Sequence, residues 1–265
     1  RLDGVTGVQT CALPIYPSEC IKTNVIGAMN VIDAAIASKV SRVVALSTDK
    51  ACNPVNLYGA TKLCSDKLFI AAKAYSGFNP TSFAVVRYGN VIGSRGSVVP
   101  HFEACRDKGE VPVTDERMTR FWITVDQAAH FVLFALQRME GGEIFVPKIP
   151  SMKIVDLAEA IAPGCPRRII GLRPGEKIHE TLITSDDASH THAYGGYFVV
   201  KPFRYHYEYH GEGQSRGDRA NVCPDGFSYS SDTNDEWITI DELRRMVTRM
   251  KQTAETEPSR WPQAT

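Results

Sequence analysis

Ser47–Lys62 reads S-T-D-K-A-C-N-P-V-N-L-Y-G-A-T-K, and its two flanks decide the fold. The preceding run, Arg42–Ser47 (RVVALS), is short, apolar and rich in β-branched residues, which predicts a strand buried on both faces of a parallel sheet. Tyr58–Ala74 then carries apolar residues at helical spacing. Upstream, Ile21, Val25, Met29, Ile32 and Ala35 recur at three- and four-residue steps and predict a helix over 18–38. Downstream, Phe83–Tyr88 predicts a second buried strand. Helices and strands alternating at this pitch give an α/β fold: a doubly wound, Rossmann-like parallel sheet covered by crossover helices. Helices are expected over 97–108 and 125–139, and a strand over Glu143–Val146. Past about residue 150 the pattern becomes that of a smaller lobe: a helix over 153–162, a strand over 167–171 and a helix start near Glu176. The alternating Tyr205, Tyr207 and Tyr209 suggest a further strand, and Ile240–Met250 a closing helix begun by Thr239 or Asp241.

The chemistry gathers in the opening segment. Tyr58 and Lys62 are four residues apart, so they share one helical face. A phenol with an ordinary pKa of about 10 becomes a usable proton carrier beside an ammonium, which favours the phenolate. Each tenfold gain in acidity corresponds to about 1.4 kcal/mol. The Thr48 hydroxyl, at the end of the predicted strand, can hold the alcohol that exchanges its proton with Tyr58. Asp49 and Lys50 follow at once, at the carboxyl end of the strand, where ligands bind in such sheets.

Three stretches together resemble one family. They are S-T-D-K-A-x-N-P-x-N-L-Y-G-A-T-K, R-Y-G-N-V-x-G-S-R-G-S-V-x-P and L-R-P-G-E-K-x-H-E. Over roughly residues 17–250 the chain is similar to extended short-chain dehydrogenases/reductases, and within them to the inverting UDP-N-acetylglucosamine 4,6-dehydratases of pseudaminic acid biosynthesis. The resemblance implies oxidation of the sugar at C4, deprotonation at C5, loss of water from C6 and hydride return to C6, with a nicotinamide cofactor. It implies NADP, although NAD remains open on the sequence. Lys50 would act at C5 and Asp49 at C6, beside Thr48, Tyr58 and Lys62. A lysine base has to be neutral, which requires its pKa to fall a long way. Asn24 would organise the site near the cofactor. Asn90 and Val91 would touch substrate, Arg95 and Ser97 would meet its diphosphate, Arg120 would supply a second phosphate or uridine contact, and Arg173 and Glu176 would close over the ribose. A non-inverting sugar dehydratase, a 4-epimerase of the same superfamily or an inactive truncated fragment are the alternatives.

Composition sets limits. Of 265 residues 43% are apolar, enough for a substantial core, and 30 basic residues balance 30 acidic ones. With no basic excess, nucleic acid and anionic membranes are not expected partners. No uninterrupted apolar run approaches the ~20 residues of a membrane span. Seven scattered cysteines without a C-x-x-C pair suggest reduced thiols, with Cys52 and Cys64 as small core residues, and the histidines do not suggest a metal site. The expectation is a cytoplasmic homo-oligomer taking a UDP-sugar. Residues 1–15 (RLDGVTGVQTCALPI) look like a non-native leader, and the glycine-rich loop and first βαβ unit of the family are missing from the sequence. That leaves a dinucleotide-binding part over 16–150, a mainly substrate-binding lobe over 151–250 and a tail over 251–265.

Overall fold

The structure is a computed structural model that describes residues 16–75, 80–92, 98–202 and 220–256. It opens with a helical run in three pieces: α1 (Pro17–Ile21), a π turn (Lys22–Ile26) and α2 (Gly27–Ala37). Then come β1 (Arg42–Thr48), a 3₁₀ turn (Asp49–Ala51), α3 (Leu57–Tyr75), β2 (Ser82–Tyr88), β3 (Asn90–Val91), α4 (Val98–Arg106), β4 (Val111–Val113), β5 (Thr119–Ile123), α5 (Val125–Arg138) and β6 (Ile144–Pro147). The second half holds β7 (Ser151–Lys153), α6 (Ile154–Ile161), β8 (Arg167–Ile169), β9 (Thr181–Ile183), a 3₁₀ stretch (Ser185–His190), β10 (Thr191–Ala193), β11 (Tyr197–Val200), β12 (Asn221–Val222), β13 (Tyr229–Ser230) and α7 (Ile240–Thr256).

The main sheet has six strands in the order β1-β2-β6-β11-β10-β12. β1, β2 and β6 form the expected parallel part of the sheet, and β11, β10 and β12 extend it antiparallel. The strand alternation sorts side chains to two layers. Phe83, Val85, Ile144, Val146, Phe198 and Val200 enter the core shared with α2 and α3. Ala84, Val86, Phe145, Tyr197 and Val199 enter the opposite core, with Ala135 and Met139 from the α5 side. Full burial of a side chain such as Phe83 stabilises by roughly 1.5–3 kcal/mol, and β2 is buried along its middle five residues.

β1 is less buried than the sequence suggests: Arg42 and Leu46 are exposed and only Ser47 is fully buried. Among the described residues it pairs only with β2. An apolar run shows that a strand is present, not which neighbours cover it. In the helical run only Ile32 and Ala35 of the expected face are fully buried, together with Ala28. By length and mean hydropathy (1.2) Pro17–Ala37 could cross a membrane, although polar residues interrupt its apolar ones. Here, however, it carries Glu19, Lys22 and Asp33 and packs on α3 and the core.

A second core gathers Ile92, Val98 and Phe102 with Val111, Trp122, Met152, Leu157, Ile238 and Leu243. The expected break near residue 150 does not divide the cores, because β7 pairs with β5 and this core draws on both sides of it. No helix starts at Glu176; the chain there turns through a loop into β9. α7 continues to Thr256, beyond the expected start of a tail at 251, and Thr239 and Glu242 exchange hydrogen bonds at its start. The stretch with Tyr205, Tyr207 and Tyr209, the leader 1–15 and residues 257–265 lie outside the described residues. Cys52 is buried as expected, but Cys64 is exposed.

Candidate active site

The site grows from the end of β1. Thr48 is the last residue of the strand, and its hydroxyl accepts from Lys50 N (3.3 Å) while donating to Asp49 Oδ1 (2.6 Å). The Asp49–Ala51 turn then reverses the chain. Asn53, with φ of 45°, and Pro54 carry it to Asn56, whose side-chain oxygen accepts from Gly59 N (2.8 Å) and caps the start of α3. The glycine of Tyr58-Gly59-Ala60-Thr61-Lys62 has a steric cause. A Cβ there would collide with the Lys50 carbonyl oxygen, so Gly59 lets the helix press onto the Asp49–Lys50 turn. Asn56 also donates to Gly175 O (2.9 Å), tying α3 to the Arg173–Lys177 loop. Replacing it, Asn56→Ala, is expected to cost about 1 kcal/mol through the lost cap. The check is the urea midpoint, which should fall while the slope holds.

Asp49 is fully buried, and its Oδ1 meets Lys50 Nζ at 3.0 Å. Burial alone would raise its pKa, but the Lys50 ammonium, the Thr48 hydroxyl and Arg120 outweigh that and hold the carboxyl below its ordinary range. Lys50, 17% exposed, feels the reverse balance. Burial would lower it, and Asp49 and Glu180 more than offset this, so its pKa is raised. The lowered pKa expected of a lysine base is therefore absent: the carboxylates set the charge, and they favour the ammonium.

Lys50 lines a cleft with Val55, Asn56, Gly175, Lys177 and Glu180. Tyr58, half-buried on the first turn of α3, is not among the side chains lining it. Lys62 lies one turn further, and its amine donates to Leu46 O (2.7 Å) on β1. Burial lowers its pKa, against the charge of Asp66. Asn24 sits in the π turn, an irregularity frequent at functional sites. Its amide donates to Thr61 Oγ1 (3.0 Å), so its side chain is bound to the Tyr58–Lys62 helix.

Beneath these groups lies a charged network that the sequence motifs do not single out. Arg87, at the end of β2 and 2% exposed, donates to Asp66 Oδ2 (3.1 Å), Cys52 Sγ (3.1 Å) and Leu182 O (3.1 Å). Ser47 donates to the same Asp66 oxygen at 2.7 Å. Asp66 follows Lys62 by four residues, the spacing that links Lys62 to Tyr58, and this was the signal that could have revealed it. Cys52, despite the guanidinium, is pushed by burial up to about 11.

The remaining expected residues scatter. Asn90 and Val91 form β3 and pair with Trp122 and Ile123 of β5. Arg95 and Ser97 lie outside the described residues. Arg120 takes a place other than the expected phosphate contact. It is 1% exposed and donates to the carbonyls of Thr119, Ile178 and Lys177, with Glu180 Oε1 3.6 Å from its Nε. A guanidinium spent on buried carbonyls builds the floor of the site rather than reaching for a ligand. Glu176 folds back on its own loop, accepting from Arg173 N (3.2 Å), with its side chain only 1% exposed. Glu180 and Lys177, which the sequence did not mark as site residues, stand in the cleft wall.

Comparison with known proteins agrees with this architecture. Residues 9–202 match the family described as "Polysaccharide biosynthesis protein". A UDP-N-acetylglucosamine 4,6-dehydratase (inverting) from Campylobacter jejuni is 53% identical over 235 residues, 87% of this chain and 70% of that protein. A UDP-glucose 4-epimerase from Rickettsia canadensis is 43% identical over 198 residues, 73% of this chain and 58% of that protein. Among solved structures, Pen from Bacillus thuringiensis superposes with a TM-score of 0.76 at 36% identity, covering 89% of this chain and 71% of that one. On the sequence match and the shared Rossmann-like fold, this chain belongs to the polysaccharide biosynthesis protein family, alongside the inverting UDP-N-acetylglucosamine 4,6-dehydratases.

Proposed function

We propose that this chain is a lyase that dehydrates UDP-N-acetylglucosamine across C5 and C6 and inverts C5. The observation that carries the reading is Asp49–Lys50 at the carboxyl end of β1, with Lys50 in the cleft wall and the Tyr58 helix packed on the same turn. An oxidoreductase that only moves hydrogen at C4 needs the tyrosine and lysine of α3, whereas elimination needs a further base and acid.

The residues present fit the nicotinamide end of a dinucleotide. Lys62, half-buried beside β1, uses one N–H on Leu46 O, so its other N–H groups can meet ribose hydroxyls. When bound, the cofactor, NADP in this reading, supplies the acceptor for the hydrogen at C4. Tyr58 takes the proton from the C4 hydroxyl. Thr48, whose own proton points at Asp49, offers that hydroxyl a lone pair and no donor. The resulting ketone makes H5 acidic; Lys50, after passing a proton to Asp49 3.0 Å away, removes it, Asp49 hands that proton to the C6 hydroxyl, which leaves as water, and C6 then regains the hydrogen taken from C4 while C5 is reprotonated on its other face. Asn90, Val91 and Arg173 are assigned to the UDP-sugar, Glu176 to holding the Arg173 loop, and the active species to a homo-oligomer.

The test is conversion of UDP-N-acetylglucosamine with NADP, followed by NMR. A 4-keto-6-deoxy sugar with inverted C5 supports the reading, and UDP-N-acetylgalactosamine as the product contradicts it in favour of a 4-epimerase. Tyr58→Phe removes one hydroxyl and is expected to lower turnover by about 10³-fold. Ketone trapped with borodeuteride should vanish along with it, and ketone persisting at the wild-type level would exclude Tyr58 from that proton transfer.

A further inference from the structure

Arg87 is a buried cation to which the dehydration steps above give no role, yet it joins the elements that carry them out. Its Nη2 donates to Asp66 Oδ2 (3.1 Å) on α3, the helix of Tyr58 and Lys62. Its Nη1 donates to Cys52 Sγ (3.1 Å) and to Leu182 O (3.1 Å) in β9, the strand that follows the cleft residues Lys177 and Glu180. Cys52 in turn closes the Asp49–Ala51 turn. Its N–H donates to Asp49 O (3.1 Å), and its carbonyl accepts from Lys177 Nζ. Asp66 reaches the other end of that turn, accepting from the hydroxyl of Ser47 (2.7 Å), the residue before Thr48. One guanidinium and its carboxylate therefore link both ends of the Asp49–Lys50 turn to the helix beside it.

An ion pair at this depth is a poor way to gain stability. Arg87 and Asp66 are each 2% exposed, and apolar side chains of similar volume often serve a core as well or better. What an apolar pair lacks is direction, whereas the planar fork of a guanidinium holds several acceptors in one geometry. The groups that act at C4 have ties of their own. Lys62 donates to Leu46 O (2.7 Å), and Asn24 donates to Thr61 Oγ1 (3.0 Å), whose hydroxyl donates to Tyr58 O (2.8 Å). None of these bonds passes through Arg87. We infer that Arg87 is a positioning residue for the elimination: by gripping Cys52 and Asp66 at once, it sets the Asp49–Lys50 turn against the helix that carries Tyr58 and Lys62. The inference rests on the dehydratase reading, and it assigns Arg87 to the C5 and C6 steps rather than to oxidation at C4.

A partition experiment tests it. Substrate is turned over and quenched with borodeuteride, and reduced sugars that keep the C6 hydroxyl are counted against those that have lost it. In Arg87→Met/Asp66→Asn, ketone that keeps the hydroxyl should rise relative to 6-deoxy product by about 10-fold or more, since a misplacement of about 1 Å can cost about 10²-fold in rate. Loss of stability alone leaves this ratio at its wild-type value, because unfolded molecules contribute to neither sugar. A double variant that turns over with the wild-type ratio overturns the inference. Should the double variant form no ketone at all, Cys52→Ala decides, because it cuts the grip on the turn and leaves the Asp66 pair in place. A raised ratio there supports the inference, and the wild-type ratio overturns it. A wild-type protein that forms no 4-keto sugar overturns the dehydratase reading and the inference with it. A wild type that forms it, beside variants with an unchanged ratio, overturns the inference alone.

Discussion

Lys50→Ala is expected to reduce dehydration by about 10³-fold or more while ketone formation at C4 continues. The substitution removes one of the amines lining the cleft and leaves Asp49, fully buried, without its 3.0 Å cation. Two effects therefore have to be separated: a missing base and a destabilised carboxylate. Lys50→Arg separates them. A guanidinium keeps the charge beside Asp49 but does not give up its proton near neutral pH. The arginine variant should regain most of the stability lost in the alanine variant and none of the C5 exchange. Exchange restored by arginine would show that a positive charge, rather than proton transfer, is what the position supplies.

Arg87→Met is expected to lower stability by about 3–5 kcal/mol, the cost of breaking a buried ion pair by removing one partner. Asp66, itself 2% exposed, would keep only the Ser47 hydroxyl, and Cys52 Sγ and Leu182 O would each lose a donor. The measurement is urea unfolding followed by circular dichroism. The double variant Arg87→Met/Asp66→Asn removes both charges and should recover a large part of the loss, because the pair couples. A single-variant loss below about 1 kcal/mol would contradict the picture of a desolvated pair holding α3 against β1 and β2.

Periodicity and local chemistry carry different amounts of this molecule. β2 and α5 are legible because a run such as Ser82–Tyr88 has little choice but to be a buried strand, and Thr124 with Gln127 closes a capping box. How far a strand's faces are covered is a different question: nothing in Arg42–Thr48 says that the middle of β1 is only partly buried, since that depends on what the rest of the chain brings alongside. The antiparallel addition of β11, β10 and β12 was hidden for a similar reason, as short strands of two to four residues show too few alternations to be read.

Thr48, Asp49, Lys50, Tyr58 and Lys62 fall at the strand end, turn and helix start that the sequence pattern suggests. Glu180 and Arg120 were not legible. Both derive their character from burial, which their local sequence does not encode, and Arg120 was read as a ligand contact from its place in Met118–Phe121. The electrostatic sign of Lys50 was equally out of reach, since it depends on Glu180, far along the chain, as well as on its neighbour Asp49.

The central claim is that the amine beside the carboxyl end of β1 strips a carbon-bound proton after the sugar is oxidised. Its most direct measurement is turnover of UDP-N-acetylglucosamine in D2O, with the product read by proton and carbon NMR. The account predicts deuterium at C5 of a 4-keto-6-deoxy sugar made by the wild type, and none at C5 with Lys50→Ala. A keto product whose C5 carries only the substrate's own hydrogen, or unchanged C5 labelling in the alanine variant, would contradict it.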